Sequence, residues 1–120
     1  MTLDPTSVPP GSVWILFQLN GAPIRTEEDG DFNALCLIEL VSGRIVGMEM
    51  LAVDELGLSE FQAEKLFREA ETQIGRRPEK VFAQEGLPLA RVGGVLETFG
   101  AELMELSTED LWPVIGEAVE

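Results

Sequence analysis

The sequence predicts an α/β domain: a mixed sheet of about five strands, part antiparallel hairpin and part parallel, with helices packed on it. Three observations lead there. Two strand-length apolar runs, Ala34 to Val41 and Arg44 to Val53, flank the break at Ser42-Gly43. A helix-period pattern with clear end signals runs from Ser59 to Gly75, and beyond it the chain alternates strand, helix, strand, helix. A hairpin imposes antiparallel pairing and helical crossovers imply parallel pairing, so one sheet holds both.

Met1 to Ser12 contains three prolines and a glycine and is read as a flexible arm, residues 1–12, ahead of a single domain over 13–120. Val13 to Leu19 is a strand, with Trp14 and Leu16 on one side and Val13, Ile15, Phe17 and Leu19 on the other. Asn20-Gly21 signals a turn, and Ala22 to Arg25 returns as a short edge strand because Pro23 has no N–H to donate. The acidic stretch Glu27 to Asp31 lacks the spacing of a calcium loop and is read as a solvated loop.

The hairpin register follows from side-chain sorting. A two-residue loop at Ser42-Gly43 would place one carboxylate, Glu39 or Glu49, on each face. A three-residue loop of Val41, Ser42 and Gly43, with Gly43 left-handed, pairs Leu40 with Arg44 instead. That register gathers Cys36, Ile38, Leu40, Val46, Met48 and Met50 on one apolar face, and puts Glu39 and Glu49 on the other with Leu35, Leu37, Ile45 and Leu51. We prefer it, since a one-residue slip would carry every side chain across the sheet.

Ser59 and Gln62 form a capping box, Ala63, Leu66, Phe67, Ala70 and Ile74 make the buried stripe, and Gly75 ends the helix. Lys80 to Gln84 is a short strand. Pro88 suits the first turn of a second helix with the stripe Leu89, Val92, Leu96 and Phe99, closed by Gly100, although Gly93-Gly94 weakens it. Ala101 to Leu106 is a last strand. Asp110 is the expected cap of a terminal helix with Pro113 in its first turn.

Composition narrows the chemistry. Twenty-two acidic residues against 8 basic ones give a net charge of −14, which repels phosphate backbones, so direct nucleic-acid binding is not expected. There is no histidine, which removes the commonest general base and metal ligand. The single cysteine, Cys36, sits mid-strand as a buried hydrophobe. No apolar run reaches the ~18 residues of a membrane span, and the first residues lack the pattern of a signal peptide. A cytoplasmic location is expected, with no membrane partner.

The order of elements, together with two local stretches, resembles the ribonuclease-H-like fold of retroviral integrases and transposases. Leu37 to Met50, L-I-E-L-V-S-G-R-I-V-G-M-E-M, is similar to the integrase hairpin, and Pro78 to Gly86, P-E-K-V-F-A-Q-E-G, to its fourth strand and following turn. The chain also resembles a family of small, uncharacterised bacterial proteins with a Trp-bearing first strand, this hairpin and an R-P-x-x-V strand. The integrase resemblance implies carboxylates on the first and fourth strands holding two divalent metals. Val13 to Arg25 contains none, and the fourth-strand position is Gln84.

The leading expectation is therefore a non-catalytic, acidic protein-interaction or assembly domain with no cofactor, a protein partner, and homo-oligomerisation as one form of assembly. One alternative is a divergent metal-dependent nuclease or phosphodiesterase using some of Glu39, Glu49 and Glu85. Another is a nucleic-acid mimic that blocks a basic protein. Arg76, Arg77, Lys80 and Arg91, half of the basic residues, are the candidate anion patch, with helix-end stabilisation as their competing role.

Overall fold

The computed structural model describes residues 8–18, 24–25, 31–52, 58–87, 89, 91–107 and 109–111. The strands are β1 (Val13–Gln18), β2 (Ile24–Arg25), β3 (Asp31–Glu39), β4 (Ile45–Ala52), β5 (Lys80–Gln84) and β6 (Glu102–Leu106). Two helices, α1 (Glu60–Ile74) and α2 (Val92–Thr98), lie in the crossovers.

β1 is apolar along its length and central. It pairs antiparallel with β3 and parallel with β5, and β5 pairs parallel with β6. β4 takes the other edge of β3, because Leu35 is opposite both Gln18 and Glu49. The two residues of β2 continue along the β1 side of β3. The mixed α/β sheet expected from the sequence is thus present, in the spatial order β4-β3-β1-β5-β6.

Each face of the sheet carries its own core. Trp14, Leu16, Leu35, Leu37 and Leu51 pack under α1 and α2 with Leu66, Phe67 and Leu96. Val13, Ile15, Phe17, Cys36, Ile38, Leu40 and Phe82 form the second core with Leu111. Fully burying side chains of this size is worth roughly 1.5–3 kcal/mol each, so the two-sided apolar pattern of β1 is what makes it central.

The hairpin keeps the expected register from Phe32↔Ala52 to Leu37↔Gly47, then shifts by one residue so that Ile38 faces Ile45. The turn therefore spans residues 40–43, closed by Gly43 N–H to Glu39 C=O at 2.9 Å and Glu39 N–H to Arg44 C=O at 2.9 Å. Gly43 is left-handed, at φ 68°. The extra residue is Val46, and the bulge re-aims it. Expected beside Cys36 and Ile38, Val46 instead joins Leu35, Leu37 and Leu51 under α1, while Ile45 turns to the opposite face. α1 presses closest next door: a Cβ on Gly47 would lie 2.6 Å from Leu66 Cδ1.

α1 has both halves of the Ser59–Gln62 capping box and ends on left-handed Gly75. α2 is shorter than expected. It begins after Arg91, which offers no side-chain cap, and two glycines occupy its first turn. The start of the terminal helix also needs correction: Ser107 Oγ accepts the Asp110 N–H at 3.2 Å, so Ser107 and not Asp110 is the cap. Pro113 and Trp112 lie outside the described residues, as do Asn20-Gly21, Pro23 and residues 27–30 of the acidic stretch.

The folded region starts before residue 13. Ser12 is fully buried, its C=O accepting the N–H groups of Glu79 and Lys80 at 2.7 and 3.2 Å. Gly11 C=O accepts the Trp14 indole N–H at 3.0 Å. Gly11 and Ser12, at the end of the arm expected over residues 1–12, are thus buried and hydrogen-bonded to the strands; residues 1–7 lie outside the described residues.

Candidate functional site

Parallel β1 and β5 end side by side, and their last residues are Gln18 and Gln84. The Gln84 side-chain oxygen accepts the Gln18 backbone N–H at 2.9 Å. Both residues are half-buried. Successive strand residues point to opposite faces, and Glu85, one position on, is exposed with its N–H donated to Leu106 C=O at 2.9 Å. The side chains at these strand ends are neutral amides, in place of the carboxylates that hold two divalent metals for phosphoryl chemistry.

The three candidate carboxylates are not brought together. Glu39 and Glu49 share a face, as expected, but Glu49 is paired with Leu35, four residues from Glu39 along β3; that is about 13 Å of strand. Glu85 lies two strands from β3, past the end of β1 remote from Trp14, the partner of Glu39. Among the described residues, no group of three His, Cys, Asp or Glu is placed to hold a metal ion.

Glu39 has other work. The residue is 5% exposed, and its carboxylate accepts backbone N–H groups from Val41 at 2.7 Å, Ser42 at 2.9 Å and Gly11 at 3.2 Å. Burial pushes its pKa up, but hydrogen bonds from Val41, Ser42 and Gly11 outweigh burial and hold it below the ordinary glutamate value. This glutamate closes the hairpin turn and ties the chain before β1 to it.

The four basic candidates do not form one patch. Arg77 donates from Nε to Glu71 at 3.2 Å and from Nη1 to Thr98 C=O at 3.5 Å, with its guanidinium 5.1 Å from the Phe99 ring centre. It joins α1 to the C-terminal, negative end of α2. Arg91 stands at the other end of α2, Lys80 opens β5, and the stem of Arg76 lies against Gly11. The sequence reading did not anticipate that Arg68 would join Arg77 in lining an open cavity of about 470 Å³. Burial raises the Cys36 thiol to about 11, which leaves it inert at neutral pH.

One surface feature was missed at the level of sequence. Met48 and Met50, expected on an apolar face with Cys36 and Ile38, are 45% and 40% exposed, and Ile45 beside them is 41% exposed. All three project from the Cys36–Ile38 side of β4. The alternation of apolar residues was visible, but only the strand order shows that β4 is an edge among the described residues.

No protein-family model matches this sequence, and no curated protein matches it. Solved structures do resemble the fold. The catalytic core domain of BIV integrase aligns at TM-score 0.54 and 11% identity over 90% of this chain. A chain of the simian T-cell lymphotropic virus intasome, solved in complex with PP2A regulatory subunit B56 gamma, aligns at TM-score 0.57 and 11% identity over 92% of this chain. This chain spans 64% of the first and 36% of the second. The likeness shows a ribonuclease-H-like, integrase-core type of fold. No helix among the described residues is long and apolar enough to cross a membrane.

Proposed function

We propose that this chain is a non-catalytic protein-interaction domain, an acidic module that uses a ribonuclease-H-like frame as scaffold and works in the cytoplasm. The observation that carries the reading is the Gln18–Gln84 pair at the ends of β1 and β5. Two-metal phosphoryl chemistry needs carboxylates to offset the charge of the ions, and here the Gln84 oxygen already accepts a backbone N–H. The charge of −14 argues against a nucleic-acid partner and for a protein one. In this reading the domain needs no cofactor and no membrane, and it is akin to the small bacterial proteins with the R-P-x-x-V strand.

The test is a thermal melt with and without millimolar magnesium or manganese. A metal bound at ~100 times its dissociation constant stabilises the native state by about 2.7 kcal/mol. The expected result is an unchanged melting temperature. A rise that disappears in Glu49→Ala or Glu85→Ala would overturn the reading in favour of a metal-dependent hydrolase.

A further inference from the structure

The free edge of the sheet has a definite pattern of shape and charge. At the turn end of β4 the Gln73 side-chain amide donates to Val46 C=O at 2.9 Å and its oxygen accepts from Arg44 at 3.2 Å. Beyond that cap, residues 47–51 have no partner on their outer edge among the described residues. A bare strand edge is a template for another strand.

The two faces of this edge differ. On one, Ile45, Met48 and Met50 form an exposed strip, two of them methionines that adapt to varied partners. On the other lies α1, whose residues 62, 66, 69 and 73 follow one flank at helical spacing. Leu66 against Gly47 and Gln73 on Val46 place that flank over β4. Exposed Glu69 is on the same flank, and half-buried Glu49 of β4 faces the same side. The edge therefore presents apolar side chains on one face and the carboxylates of Glu49 and Glu69 on the other, with Lys65 beside Glu69 and Arg44 at the turn end.

We infer that β4 binds, by strand addition, an extended segment of another protein in which apolar and basic residues alternate. Such a segment sets its apolar side chains beside Met48 and Met50 and its lysines or arginines beside Glu49 and Glu69, while its backbone pairs with residues 47–51. This sequence holds no such segment of its own, because no two of its 8 Lys and Arg residues stand two positions apart. The inference deepens the interaction reading and rests on it.

The test uses the full chain and a fluorescein-labelled peptide of alternating lysine and valine, with a peptide of the same composition in two blocks as control. Fluorescence anisotropy at low and physiological salt should show the alternating peptide bound about tenfold tighter than the block control, since only it matches both faces of a strand. Met48→Gln with Met50→Gln should weaken that binding about tenfold. Glu49→Gln with Glu69→Gln should weaken it several-fold and flatten its salt dependence. Equal binding of the two peptides, or binding untouched by both variant pairs, would overturn strand addition at β4. Overturning the interaction reading itself takes the metal-dependent melt, which is a separate result. A dimer in sedimentation that the methionine variants dissociate would assign the edge to a second copy and also defeat the inference.

Discussion

The turn end of the β3–β4 hairpin and its open edge are built from similar sequence and held in opposite ways. At the turn, Glu39 gathers three backbone N–H groups and Gln73 closes the bulge, so the local polar groups are satisfied from inside the domain. A few residues along β4, Met48 and Met50 are half in solvent beside a backbone edge with no partner among the described residues. Glu39 and Glu49 show the same contrast. They are one residue type on one face of one hairpin, yet only Glu39 is enclosed by donors. Polar residues in this chain are committed where the chain must bend, and the edge is left available.

The largest effect should come from breaking the turn. Glu39→Ala takes the shared acceptor from the part-buried N–H groups of Val41 and Ser42 and the buried one of Gly11. Hydrogen bonds to a charged group are worth ~1.5–3 kcal/mol each and are not additive, so a loss of about 3 kcal/mol is expected. For a domain of this size that is a fall in melting temperature on the order of 10 °C, measurable by calorimetry. Glu39→Gln, which keeps an acceptor but not the charge, should lose about half as much. A Glu39→Ala protein as stable as the parent would remove the turn from the comparison.

Acid sharpens the same contrast with a smaller effect. The folded-state pKa of Glu39 is depressed, so its stabilisation is fully present above the ordinary glutamate value, about 4.3, and is lost as pH falls through the folded value. Urea unfolding of the parent and of Glu39→Gln should give a stability gap that is constant at neutral pH and narrows below about pH 4. A gap that widened on acidification would contradict the hydrogen-bond geometry.

The fold was legible where a short-range pattern decides it, and the site was not. Leu35, Leu37, Met48 and Met50 alternate strongly enough to set the hairpin register, and Ser59, Gln62 and Gly75 mark the ends of α1 by local chemistry. The bulge at Val46 was hidden, because R-I-V-G-M reads as apolar in either phase and the choice depends on how closely α1 approaches Gly47. Glu39 looked like a ligand because its third donor, Gly11, is 28 residues away in sequence. Gln84 could be placed by its resemblance to an integrase strand. Its partner Gln18 could not, since a terminal glutamine on an apolar strand carries no signal until two parallel strand ends meet. The exposure of β4 is likewise a property of strand order, and alternation alone cannot separate an edge from a covered strand.

The smallest stability effect belongs to the edge. Replacing Met48 and Met50 together by glutamine removes apolar atoms that are already 45% and 40% exposed, and creates no buried polar group, because glutamine can reach water from either position. Surface changes of this kind fall within about 0.5 kcal/mol per site. The urea midpoint should therefore barely move, and its slope should not move at all, since the surface exposed on unfolding is nearly the same. Their neighbours on the same side, Cys36 and Ile38, are fully buried, so the outcome locates the boundary of the core. A loss of several kcal/mol would mean that the two methionines belong to the second core beneath them. A silent result would mean that the second core ends at β3, and that the apolar strip on β4 is retained for something other than the stability of this chain.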